Sequence, residues 1–119
     1  MRIHRYGSMD EYLTRHEDLD TRDRNLDIID DGKWVMADMF TECARPETAV
    51  RRFFRGLAGE TAFDGWEECL LESIENGCFS QSDSLMADGT KNPVPSWSYG
   101  IEQYDDEWYI YLNVRYKEV

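Results

Sequence analysis

The chain has 119 residues and a formal net charge of -12, from 25 Asp and Glu against 13 Lys and Arg, with 41% hydrophobic and 13% aromatic residues. A chain of this length builds one hydrophobic core rather than two, which predicts a single domain over residues 1–119, and its aromatic and aliphatic content is too high for a disordered acidic tail. Its acidity disfavours direct nucleic-acid binding, because phosphates would be repelled over most of the surface, and no apolar run approaches the ~20 residues that cross a bilayer.

The N-terminal stretch Arg2 to Tyr6 reads as a brief strand. Ser8 and Glu11 then stand in the capping-box relation, which predicts a short helix from Met9 to about His16. Nothing here has the apolar run and cleavage site of a secretory signal, so a cytoplasmic location is expected. Lys33 to Ala44 reads two ways. Val35, Met36, Met39, Phe40 and Cys43 make a helical stripe, while Asp31-Gly32 before Trp34 would suit a turn feeding a strand. The stripe tips the reading toward helix.

Pro46 sits where the first helical residue tolerates proline, and Ala49, Val50, Phe53, Phe54 and Leu57 continue an amphipathic helix that ends around Gly56 to Gly59. Its outer side is basic, from Arg51, Arg52 and Arg55. A second helix is expected from Ala62 to Asn76, with Thr61 as cap, Gly77 as stop, and Phe63, Trp66, Leu70 and Ile74 as its apolar stripe. Asp83 to Pro95 is loop-like. Finally, Trp97 to Tyr104 and Glu107 to Tyr116 alternate with the period of two of half-buried strands. A two-residue loop at Asp105-Asp106 would put Tyr104 opposite Glu107, Ile101 opposite Ile110, Tyr99 opposite Leu112 and Trp97 opposite Val114. That register makes one face apolar and leaves Glu102 with Tyr109, Gly100 with Tyr111 and Ser98 with Asn113 on the other. The order of elements predicts an α+β fold: a small antiparallel sheet, including this C-terminal β-hairpin, packed against two or three helices.

Charge is unevenly placed. Between Gly56 and Asp88 stand Glu60, Asp64, Glu67, Glu68, Glu72, Glu75, Asp83 and Asp88 with no Lys or Arg among them. A separate acidic cluster runs from Asp10 to Asp31. Asp64, Glu68, Glu72 and Glu75 have spacings of four, four and three, which would align them on one helix face. Like charges so spaced cost roughly 0.2–0.5 kcal/mol per pair, and four residues of helix rise about 6 Å, so the carboxylates would form a ridge spaced on the scale of nucleic-acid phosphates. A solvated, solubilising face would look the same.

Catalytic chemistry finds little support. The only histidines are His4 and His16, and neither has a nucleophile at a diagnostic spacing. Cys43, Cys69 and Cys78 form no CxxC pair and read as reduced apolar residues, with a Cys69 to Cys78 bridge as the lesser reading. No zinc spacing appears, Arg22 breaks the calcium-loop pattern begun at Asp18, and no phosphate-binding glycine motif is present. No cofactor and no metal are therefore expected.

The expectation is a non-enzymatic interaction protein that inhibits a basic, nucleic-acid-binding partner or nuclease complex by charge mimicry. Asp64, Glu68, Glu72, Glu75, Glu102, Tyr104, Glu107, Tyr109 and Tyr111 are its expected contact residues. In size and charge the chain resembles phage-encoded inhibitors of bacterial defence systems, anti-CRISPR and anti-restriction proteins among them, a resemblance of property that no motif carries. The alternatives are an immunity or antitoxin protein for a nuclease toxin and a small enzyme with an unrecognised site.

Overall fold

Alternating residues near the C-terminus build the centre of the molecule. In the computed structural model, which describes residues 1–6, 33–83 and 96–116, strands β4 (Trp97–Tyr104) and β5 (Glu107–Tyr116) form an antiparallel hairpin. Its register pairs Tyr104 with Glu107, Ile101 with Ile110, Tyr99 with Leu112 and Trp97 with Val114, as the alternation predicts. Asp105 adopts a φ of 54° to close the two-residue turn, a left-handed conformation that Asp tolerates better than most residues.

Three more strands complete the sheet: β1 (Arg2–Tyr6), β2 (Lys33–Glu42) and β3 (Ser80–Ser82). The order is β1-β2-β5-β4-β3, and every neighbouring pair is antiparallel. The helical reading of Lys33 to Ala44 is overturned, because Lys33–Glu42 is a strand paired on both sides, to β1 and to β5. The physical reason is double burial. Val35 and Ala37 pack under the helices while Trp34 and Asp38 are buried on the other face, so alternation disappears and the apolar positions fall at helix-like spacings.

Among the described residues, two helices and one 3₁₀ turn cover one face. Helix α1 (Pro46–Gly56) begins with Pro46 in its first turn and packs Ala49, Val50 and Phe53 against β2, β5 and the second helix. Arg51, Arg52 and Arg55 are exposed. The expected helix from Ala62 to Asn76 is broken: Thr61–Phe63 is a 3₁₀ turn, and α2 spans Trp66–Glu75. The break lies at Asp64-Gly65, where Asp64 is extended and Gly65 is left-handed with a φ of 85°, so the chain changes direction although the apolar spacing continues through it. At the other end Gly77 also takes a positive φ, of 77°. Its N–H bonds the Ile74 carbonyl at 3.0 Å and the Cys78 N–H bonds that of Ser73 at 2.7 Å, the paired closure of a Schellman stop.

The core is thus one-sided. Val35, Ala37, Tyr99, Ile101, Ile110, Leu112 and Val114 from the sheet meet Val50, Phe53, Phe63, Leu70 and Ile74 from above. Each fully buried Leu, Ile or Phe among them contributes roughly 1.5–3 kcal/mol. The Tyr99 hydroxyl donates to Ser73 Oγ at 2.5 Å and so ties β4 to α2. The expected helix from Met9 to His16, the Asp10 to Asp31 cluster and the loop after Asp83 lie outside the described residues.

Candidate protein-interaction surface

Alternation sends the remaining side chains of β2, β5 and β4 to the sheet face away from the helices, where the register arranges them in rows. Nearest the hairpin turn, Glu42, Glu107 and Tyr104 lie side by side; the next row is Phe40, Tyr109 and Glu102; the third is Asp38, Tyr111 and Gly100. Carboxylates and rings are therefore intermixed at the end of the sheet, with Glu42 beside Glu107 and Phe40 beside Tyr109. Phe40 and Tyr104 remain 54% and 53% exposed, unusual for large rings on strands. The Phe40 ring centroid lies 4.6 Å from that of Tyr109 and 6.4 Å from that of Tyr104, so these rings from three strands form one aromatic group. Tyr111 extends it, 6.1 Å from Tyr109.

Below the rings is a polar anchor. Asp38, only 5% exposed, accepts from Arg2 Nε at 3.0 Å and Arg2 Nη2 at 2.7 Å, and from the Tyr109 hydroxyl at 3.0 Å. Burial first, then this hydrogen bond and the Asp38 charge, push the Tyr109 hydroxyl up to about 12. A two-pronged guanidinium and a phenol together satisfy a carboxylate that would otherwise be costly to bury. The Asp38 bond fixes the Tyr109 ring beside Phe40, with their centroids 4.6 Å apart. Tyr111 lies flat over Gly100, where an added Cβ would come within 2.4 Å of its ring.

Carboxylates crowd the hairpin tip. The Glu42 carboxyl is raised from its ordinary value by a hydrogen bond to Asp106, by repulsion from it, by desolvation and by the nearby Glu107. Glu102 accepts the Tyr104 hydroxyl, which raises that phenol in turn. Of the described guanidiniums, Arg2 is engaged on Asp38, and Arg52 on the Thr41 hydroxyl at 3.1 Å and the Glu42 carbonyl at 2.8 Å.

The second acidic feature is on α2. Leu70, Ser73 and Ile74 face the core, so at 3.6 residues per turn Glu68, Glu72 and Glu75 project from the opposite side, all exposed. Among the described residues no Lys or Arg forms an ion pair with them. Asp64 does not join this ridge, because it precedes the helix and lies in the extended break. Since α2 covers one face of the sheet and the rings of Tyr104, Tyr109 and Tyr111 occupy the other, the expected contact residues fall on two opposite sides of the molecule. Glu102 and Glu107 belong with the tyrosines, and Glu68, Glu72 and Glu75 stand apart. A single flat partner surface reaches one set or the other. Phe40 was missed by sequence reasoning because the helical reading placed it in an internal stripe; a strand reading of Lys33 to Glu42 would have set it beside Tyr109.

The thiol of Cys69, an exposed residue, is raised from its ordinary value by partial desolvation and then by the Glu72 charge. A cavity of about 170 Å³ lies between the end of α1 and the break before α2, bordered by Phe54, Leu57, Glu60, Phe63, Asp64 and Glu67. That is small beside the 300–1,000 Å³ usual for small-molecule sites, and no serine, cysteine or histidine borders it. Among the described residues no group of His, Cys, Asp and Glu side chains is placed to hold a metal ion, and no helix is long and apolar enough to cross a membrane. No protein-family model matches the chain, and comparisons with curated proteins and with solved structures find no match either.

Proposed function

We propose that this is a non-enzymatic acidic interaction protein that inhibits a basic, nucleic-acid-binding partner by charge mimicry, its carboxylates standing where phosphates would lie. The observation that carries the reading is the pair of half-exposed rings, Phe40 and Tyr104, set among the carboxylates of Glu42, Glu102 and Glu107. Exposed aromatics supply contact area at small entropic cost and slow dissociation, while net negative charge accelerates encounter with a basic surface. The outward row of Glu68, Glu72 and Glu75 adds to that long-range field. Phage-encoded inhibitors of nuclease complexes, of the anti-CRISPR or anti-restriction kind, work on partners of this chemistry.

Affinity capture from host extract across a salt series, followed by nucleic-acid displacement, tests the reading. A captured protein that binds nucleic acid, is released by moderate salt and loses its nucleic acid when the acidic protein is added is the expected result. A partner held equally well at all ionic strengths, or one that keeps its nucleic acid in the complex, contradicts it.

A further inference from the structure

We infer that the hairpin end of the open sheet face is a docking surface for arginine side chains of the partner, each guanidinium stacking on Phe40 or Tyr104 and forking to Glu102 or Glu107. This rests on the reading above and names both the side of the molecule that makes contact and the chemistry it recognises. The argument is one of complementarity. A guanidinium is planar, stacks on an aromatic face within about 6 Å of its centroid, and offers parallel N–H groups to a carboxylate. The surface presents both halves of that match in two neighbouring rows: exposed rings with centroids 6.4 Å apart and planes 48° to each other, with Glu107 directly across from Tyr104 and Glu102 in the same row as Phe40.

Other occupants fit less well. An apolar segment laid on the rings would strip water from Glu102 and Glu107 without pairing them. Nucleic-acid bases could stack, but their phosphates would meet the same carboxylates. A lysine ammonium is a compact, strongly hydrated charge that gains less from a ring face than a guanidinium does. Among the described residues, Arg2 is already bonded to Asp38, and Arg52 to Thr41 and the Glu42 carbonyl.

The test is calorimetric titration of the full chain at low salt with an oligo-arginine peptide and an oligo-lysine peptide of equal length. Wild type is compared with Phe40→Ala, Tyr104→Ala, Glu107→Gln and a control carrying Glu68→Gln, Glu72→Gln and Glu75→Gln, each checked for native circular dichroism. Tighter binding of the arginine peptide is expected, weakened about two- to fivefold by loss of either ring. The lysine peptide should respond little to the ring changes, and the α2 control should weaken both peptides equally. Equal affinity for the two peptides, indifference to the ring substitutions, or no binding at all overturns the inference. A salt-sensitive, nucleic-acid-displacing complex captured in the preceding experiment would then leave the inhibitor reading standing with a different contact face; its absence as well would remove both.

Discussion

The face of the sheet under the helices and the face away from them are made by alternate residues of the same strands, yet they are held together differently. Under α1 and α2 the contacts are aliphatic and aromatic, closed by one tyrosine to serine hydrogen bond. On the open side the buried residues include a charge, Asp38, kept by Arg2 and Tyr109, together with Trp34 and Asn113, while Phe40 and Tyr104 nearer the hairpin turn stay half in water. Folding accounts for the first face completely. Two large exposed rings and a row of crowded carboxylates contribute little to it, which is the physical basis for proposing that face as the contact surface.

Substitutions that separate the two faces should follow that division. The largest loss is expected from Leu112→Ala, which empties a fully buried position between β2 and β4 on the helix side. Denaturant unfolding should show about 2–5 kcal/mol less stability, with no specific change at the open face. Gly100→Ala should cost about 1–3 kcal/mol, because the new methyl must displace the Tyr111 ring. The signature is an altered near-ultraviolet circular dichroism spectrum; an unchanged spectrum and stability would show that the ring is not seated there.

Next comes Asp38→Ala, which removes the partner shared by Arg2 and Tyr109. Since the Arg2 side chain is 65% exposed, the cost should be about 1–2 kcal/mol rather than that of a fully buried pair. The same change should lower the Tyr109 pKa from about 12 toward its ordinary 10, with burial preserving part of the elevation. The sign follows from linkage. A phenol whose pKa is higher in the folded than in the unfolded chain stabilises fully below pH 10, and that stability drains away as pH rises from 10 to 12. Spectroscopic titration of phenolate absorbance, read beside melting temperature, should show this alkaline loss in the wild type and a weaker one in Asp38→Ala.

The smallest effect should come from Glu68→Lys, Glu72→Lys and Glu75→Lys combined. Relief of like-charge spacing should leave stability unchanged or raise it by a few tenths of a kcal/mol, while association with a basic partner falls at low salt. A marked destabilisation would mean that the ridge has a structural partner after all.

Legibility in the sequence tracked how many faces of an element are buried. The hairpin could be read residue by residue, because β4 and β5 each expose one side and a two-residue loop leaves a single register that segregates apolar from polar side chains. α1 and the end of α2 were similarly plain, since Pro46 and Gly77 act through local backbone chemistry. β2 was not, because a strand buried under helices on one side and around Asp38 on the other has no alternation to display. The Asp64-Gly65 break escaped for a related reason: the apolar spacing of Phe63, Trp66, Leu70 and Ile74 runs through it, and only packing revealed the change of direction.

By itself the sequence determined the α+β composition, the pairing of the C-terminal strands and the shared helix face of Glu68, Glu72 and Glu75, all consequences of short-range periodicity and local backbone preference, though not the exclusion of Asp64 from that face. Only the tertiary structure decided that Glu68, Glu72 and Glu75 face one way while Tyr104, Tyr109 and Tyr111 face the other, and that Phe40 joins the tyrosines. That outcome depends on which side of the sheet the helices cover and on which strand lies next to β5. Both are settled by long-range packing, which adds contacts between residues far apart in the chain and leaves no mark on the spacing of neighbours.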